Sequence, residues 1–107
     1  MEKGKLDSSE TGETAILIGI IRSNQSETEV KEHIDELRLL ANTAGATTKK
    51  VFLQRLNMPN STTFLGSGKM QEIKEFVVEN AIDLAIFDDD LTPSQVRNIE
   101  KILEIKI

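Results

Sequence analysis

The spacing of hydrophobic and polar positions along this chain changes period several times, and each change marks an element. Residues 1–13 hold six charges and a single large aliphatic, Leu6, too little apolar surface to order themselves, so they are expected to form a disordered arm. From Thr14 to Arg22 both parities of a pleat are apolar, the pattern of a strand buried on both faces of a parallel sheet. Ser26 followed by Glu29 makes a capping box, and Val30, Ile34, Leu37, Ala41 and Ala44 then recur at helical spacing until Gly45. Thr47 to Arg55 is β-branched and half polar, which predicts an edge strand. Leu56 to Leu65 is a polar loop carrying Pro59, and Met70, Ile73, Phe76 and Val77 predict a second helix over Lys69–Asn80. Leu84 to Phe87 is a short apolar strand opening onto Asp88, Asp89 and Asp90. Thr92 caps a third helix with Pro93 in its first position and Val96, Ile99 and Leu103 facing inward, and Ile105 to Ile107 reads as the beginning of a fourth strand.

The order β-α-β-α-β-α-β predicts an α/β domain over residues 14–107 with a four-stranded parallel sheet. Placing the doubly buried strands centrally gives the order 2-1-3-4, with helix 1 on one face and helices 2 and 3 on the other. One helix would then cover half a sheet. The uncovered surface over strands 3 and 4 would form an apolar patch of the kind that marks an interface, so self-association of the isolated fragment is expected. The break inside the last strand predicts a domain truncated from a longer protein.

Composition narrows the chemistry. With no cysteine, a disulfide scaffold, a thiolate zinc site and a cysteine nucleophile are excluded, and the single histidine, His33, excludes a multi-histidine metal site. His33 lies beside the inward Ile34 with no triad partner in reach, as a surface residue would. The longest apolar run, Ala15 to Ile21, is far short of a membrane span, and the charged N-terminus has no apolar signal region, which predicts a cytoplasmic protein without a membrane partner. A net charge of −5 opposes a general grip on phosphate backbones and leaves only local contacts.

Three local constellations could carry such contacts. Gly66-Ser67-Gly68-Lys69 opens the second helix, where backbone N–H groups and the helix dipole favour an anion. It is not a P-loop, since Thr63 stands where that motif needs glycine and Met70 where it needs Ser or Thr. A tight turn with a solvated Lys69 is the commoner reason for such a sequence. Asp88 and Asp89, at the carboxyl end of strand 3 beside the predicted switch point, are candidate Mg²⁺ ligands, or else simply turn residues favourable at a helix N-terminus. Gln95, Arg97 and Asn98 on the third helix, with Arg55 on strand 2, have the donors that contact RNA backbones, and an exposed polar face accounts for them too. Lys49 and Lys50 make strand 2 locally basic, as edge protection would.

Two stretches add a resemblance. Phe64-Leu65-Gly66-Ser67-Gly68-Lys69, after Arg55 and Pro59, and Phe87-Asp88-Asp89-Asp90-Leu91-Thr92-Pro93-Ser94-Gln95, continuing through Arg97-Asn98-Ile99-Glu100, closely resemble the N-terminal domain of the HflX family of translational GTPases. The likeness runs from about Thr14 to Ile107, with Asp90 where the family commonly has Glu. It implies a docking and regulatory domain of a cytoplasmic GTP-binding protein that associates with the large ribosomal subunit and its rRNA, in ribosome splitting, rescue or biogenesis. The domain would pack on a downstream helical segment and a G domain, which would hold the GTP and Mg²⁺, leaving this fragment without a cofactor and not catalytic alone. A further nucleotide site credited to some members would fall on Gly66, Gly68 and Lys69. The residues themselves leave two alternatives open: an autonomous Mg²⁺-dependent purine-nucleotide-binding domain built on the Gly66–Lys69 helix start, and a protein-interaction module using the exposed sheet face.

Overall fold

The computed structural model describes residues 12–107. Residues 1–11, most of the expected arm, lie outside them. Three strands and three helices alternate: β1 (Glu13–Ile21), α1 (Glu27–Thr43), β2 (Ala46–Arg55), α2 (Ser67–Asn80), β3 (Leu84–Phe87) and α3 (Pro93–Leu103).

Burial of β1 on both sides organises the molecule. Ala15 to Ile21 are all buried, and alternation sends Ile16, Ile18 and Ile20 to one face and Ala15, Leu17 and Ile21 to the other. The even face packs on Met70, Ile73 and Val77 of α2 and on Ile99 and Leu103 of α3. The odd face packs on Val30, Ile34 and Ala41 of α1. Where Ile34 presses onto the sheet, Gly19 leaves the room: a β-carbon there would stand 3.3 Å from Leu53 Cδ2 and 3.4 Å from Ile34 Cδ1. β1 runs parallel to both neighbours, from Glu13↔Ala46 to Ile21↔Arg55 on one side and Ala15↔Leu84 to Ile18↔Phe87 on the other.

The sheet is therefore three-stranded, in the order β2-β1-β3, which corrects the four-stranded 2-1-3-4 sheet expected from sequence. Past α3, Glu104 turns into the left-handed region at φ 58°, and of the expected fourth strand only Lys106 engages the sheet, through one parallel bridge to Leu84 in which its carbonyl accepts from the Ala85 N–H at 2.9 Å. A ladder needs successive pairs, and a single bridge is not a strand. β3 is consequently an edge, and Leu84 and Ile86, on the same sheet face as Ala15 and Leu17, remain half-buried because α1 lies over β1 and β2.

Local signals set the helix ends. Ser26 Oγ accepts from the Glu29 N–H at 3.1 Å, while the Glu29 carboxylate accepts from the Ser26 N–H at 3.0 Å. The Ser26 N–H, and after it the Ser26 hydroxyl donating at 3.2 Å, hold the Glu29 carboxyl below its ordinary range. α1 ends at Thr43, and Gly45, just past the C-cap Ala44, turns the chain with a φ of 96° that suits glycine; α2 begins at Ser67, two residues before the sequence pattern predicts.

Ile99 is fully buried between α3 and the even face of β1. Ile99→Ala is expected to lower unfolding stability by about 2–5 kcal/mol in urea titrations, because the emptied volume is walled by both helices and the sheet.

Candidate functional site

In an open parallel sheet ligands bind beyond the carboxyl ends of the strands, where the crossover direction reverses. Here that point lies between β1 and β3, since the chain passes from β1 to β2 on one side and returns through α2 to β3 on the other. Three groups of side chains collect at this end, and each is tied into the structure.

At the switch point itself, Arg22 follows β1 and Asp89 follows β3. The guanidinium donates two parallel hydrogen bonds to the carboxylate, Nη1 to Oδ2 at 3.2 Å and Nη2 to Oδ1 at 3.3 Å, with both side chains about a quarter to a third exposed. The Arg22 N–H donates to Gln25 Oε1 at 3.1 Å, fixing the turn that delivers it. Such a fork-to-carboxylate pair occupies both carboxylate oxygens with parallel N–H donors. Asp88 donates its N–H to the Ile18 carbonyl at 2.8 Å, and burial pushes its carboxyl above the ordinary range, with His33 opposing and Asp89 reinforcing the shift. Asp90 is exposed. Among the described residues no three His, Cys, Asp or Glu side chains converge on a metal position.

The second group is the loop between β2 and α2. Asn60 and Phe64 exchange backbone hydrogen bonds at 2.9 Å each, and Asn60 Oδ1 accepts from the N–H groups of Thr62 and Thr63. An asparagine accepting from the amide two residues on is an Asx turn, a side-chain mimic of a backbone turn. Phe64 sits at φ 69°, unusual for a bulky residue. Its ring is 1% exposed and meets Phe87 edge-to-face at 5.5 Å, which anchors the loop to the end of β3.

Gln95 joins these groups. Buried to 6% exposure, it completes the capping box of α3, its N–H donating to Thr92 Oγ1 and its Oε1 accepting from the Thr92 N–H, and its Nε2 donates to the Asn60 carbonyl at 2.7 Å. Asn98, one turn on, donates from Nδ2 to the Thr62 carbonyl at 3.0 Å. Two of the expected RNA contacts thus clamp the loop. The others face outward: Arg97 donates to Ser94 Oγ at 3.2 Å, and Arg55 pairs with Glu27 at 3.0 Å.

The third group is the start of α2. Gly66, its N-cap, has no side chain to cap with, but its own N–H donates to Gln54 Oε1 of β2 at 3.2 Å. Ser67 and Gly68 are exposed, and a β-carbon at Gly68 would meet nothing within 4 Å. Lys69 is half-buried and paired with Glu72 at 3.1 Å. An uncapped helix start keeps amide donors for an anion, and here the adjacent Glu72 offsets the lysine charge.

The sequence brings Gly66, Ser67, Gly68 and Lys69 forward by motif, and Asp88, Asp89, Gln95, Arg97 and Asn98 by residue type. The roles of Arg22, Asn60 and Gln54 carry no local signal, because their partners lie 67, 35 and 12 positions away.

Comparison with known proteins places this arrangement. A family model described as "GTP-binding GTPase N-terminal" matches residues 31–107. Over 95 residues the chain is 50% identical to a protein of Flavobacterium psychrophilum named GTPase HflX, covering 89% of this chain and 23% of that protein. It is 40% identical over 95 residues to the GTPase HflX of Caldanaerobacter subterraneus subsp. tengcongensis, and 30% identical over 101 residues to that of Escherichia coli. Those alignments cover 89% and 94% of this chain, but only 21% and 23% of the relatives' lengths.

Two outcomes test the geometry. Gln95→Ala removes the acceptor of the Thr92 N–H and leaves the Asn60 carbonyl with only the Phe64 N–H, and is expected to cost about 1–3 kcal/mol in thermal unfolding. Asp88→Asn is expected to raise the melting temperature at neutral pH. A carboxyl whose folded pKa is raised contributes stability below its unfolded pKa and loses it as pH rises through the folded value, so the gain should vanish once the medium is acid enough to protonate Asp88 in both states. A melting temperature for the variant that is lower at neutral pH would contradict the buried-carboxyl account.

The matched family model and the relatives at up to 50% identity agree with the motif pair at residues 64–69 and 87–95, and the chain belongs to the GTP-binding GTPase N-terminal family of HflX proteins.

Proposed function

We propose that this chain is the docking and regulatory N-terminal domain of a cytoplasmic GTP-binding protein that associates with the large ribosomal subunit. The observation that carries the reading is the match itself: the chain aligns along most of its length with proteins named GTPase while spanning about a quarter of them. Its own glycine-rich turn lacks the P-loop residues at Thr63 and Met70, so GTP and Mg²⁺ chemistry is assigned to the remainder of the longer protein. The carboxyl end of the sheet supports a docking role, because Gln95, Asn98, Arg22 and Asp89 are spent on holding a loop and a turn in one shape. A surface fixed in advance loses less entropy on binding. The half-buried Leu84 and Ile86, packed beside Ala15 and Ala41, give the downstream helical segment and G domain an apolar face to pack on. No helix among the described residues is long and apolar enough to cross a membrane.

Co-sedimentation with large ribosomal subunits, comparing the full-length protein with a version lacking residues 1–107, tests the role. Loss of binding, or GTP hydrolysis no longer responsive to the subunit, is expected. Undiminished binding together with unchanged regulation would overturn it.

A further inference from the structure

The outer side of β2 has no strand beside it. The Leu56 N–H donates to the Ile21 carbonyl of β1 at 3.1 Å. Backbone groups of a strand alternate in direction from residue to residue, so those of Gln54, Phe52 and Lys50 also face β1, while those of Val51, Leu53 and Arg55 face away from the sheet. The side chains of Val51 and Leu53, in register with Leu17 and Gly19, lie on the α1 face and are half-buried. With Lys31, Ile34 and Asp35 they line a shallow groove of about 360 Å³ between α1 and the strand edge. The edge at β3 is different: it is four residues long, and its Ala85 N–H already donates to the Lys106 carbonyl.

α1 connects two parallel strands and so runs back against them. Along its flank over β2 stand Glu27, Lys31, Asp35 and Arg38, each three or four residues after the last and all exposed. Glu27 meets Arg55, Lys31 and Asp35 share the groove with Val51 and Leu53, and Arg38 lies farther down the strand with Thr47 and Thr48. The four charges alternate in sign. Such a row is its own complement when reversed: against a second copy running the other way, Lys31 meets Asp35 and Glu27 meets Arg38, with opposite charges at every position. Among the described residues Asp35 and Arg38 enter no ion pair within the chain.

We infer that the β2 edge pairs antiparallel with the β2 edge of a second copy, about a two-fold axis at Phe52, in a weak symmetric dimer. That register sets Val51 opposite the partner's Leu53, and Leu53 opposite the partner's Val51. Each is an apolar pair on the α1 face whose outward N–H and C=O groups exchange two hydrogen bonds. The same register aligns the α1 flanks so that Lys31 faces the partner's Asp35 twice over. The spacing agrees, because α1 lies over both β1 and β2. The two α1 helices are then about two strand spacings apart, roughly 9–10 Å, which is the distance at which helices pack. The two sheets join into one, and each subunit contributes the same patch. At Lys49 the bulge in β2, with the partner's Arg55 opposite as a like charge, ends the match after about five residues and keeps the dimer in the weak class. The pairing does not depend on the docking role.

Sedimentation equilibrium of the protein from about 10 μM to about 1 mM tests the pairing. The unaltered protein should move from monomer towards dimer mass over that range. Lys31→Asp and Asp35→Lys each turn two attractions of the symmetric interface into repulsions at exposed positions, and each should weaken association at least about tenfold. Mixed in equal amounts, the two variants again present opposite charges at both places, and the mixture should associate within about threefold of the unaltered protein. Support within α1 cannot be rescued by mixing, so the mixture isolates the contact between subunits. Lys101→Asp, at an exposed position of α3, should leave association within about twofold. At the high concentration the Val51 and Leu53 amides should exchange more slowly than at the low one. A monomer throughout, single variants that associate like the unaltered protein, a mixture that stays monomeric, a loss from Lys101→Asp as large as from the α1 variants, or no slowing at Val51 and Leu53 would overturn the proposal.

Discussion

Everything in this domain depends on a strand that must be covered on both sides. From Ala15 to Ile21 β1 has no polar side chain to show to water, so a helix has to lie on each face and a strand on each edge. Right-handed crossovers then send α1 to one side and α2 with α3 to the other, and the reversal between them fixes the switch point at the ends of β1 and β3. Gly19 is part of that constraint, since it lets Ile34 and Leu53 close over the middle of the strand.

Polar residues gathered at the carboxyl end satisfy one another. Arg22 and Asp89 neutralise one another across it, and Gln95 serves two elements at once, capping α3 and holding the loop before α2. A buried amide that satisfies both its oxygen and its nitrogen stabilises a single arrangement, because any alternative leaves a polar group unpaired away from water. The loop thereby acquires a fixed shape despite its polar sequence. Phe64 tolerates a left-handed backbone because its N–H, carbonyl and ring are all engaged, the first two by Asn60 and the last by Phe87.

Much of this is legible before any coordinates. The two capping boxes, Ser26 with Glu29 and Thr92 with Gln95, are short-range signals, and the burial of β1 is written in its continuous apolar run. The edge position of β2 is equally visible in its half-polar, β-branched sequence. The long-range clamps are not legible. Gln95 and Asn98 look like exposed donors on a helix until the loop 35 or so residues earlier is folded against them. Nor does the sequence reveal that Ile105–Ile107 makes only a single bridge, since its β-branched residues carry the same propensity whether or not they join a ladder.

The polar groups at the carboxyl end hold it in one shape, and that rigidity is the claim from which the rest is built. Native-state amide hydrogen exchange measures it directly. The N–H groups of Phe64, bonded to Asn60, and of Asp88, bonded to Ile18, are predicted to exchange with opening free energies close to those of the β1 amides, showing that the loop and the switch point open only when the domain does. Exchange of Phe64 near the rate of an unprotected amide, with β1 still protected, would show that the loop is not held and would contradict the account.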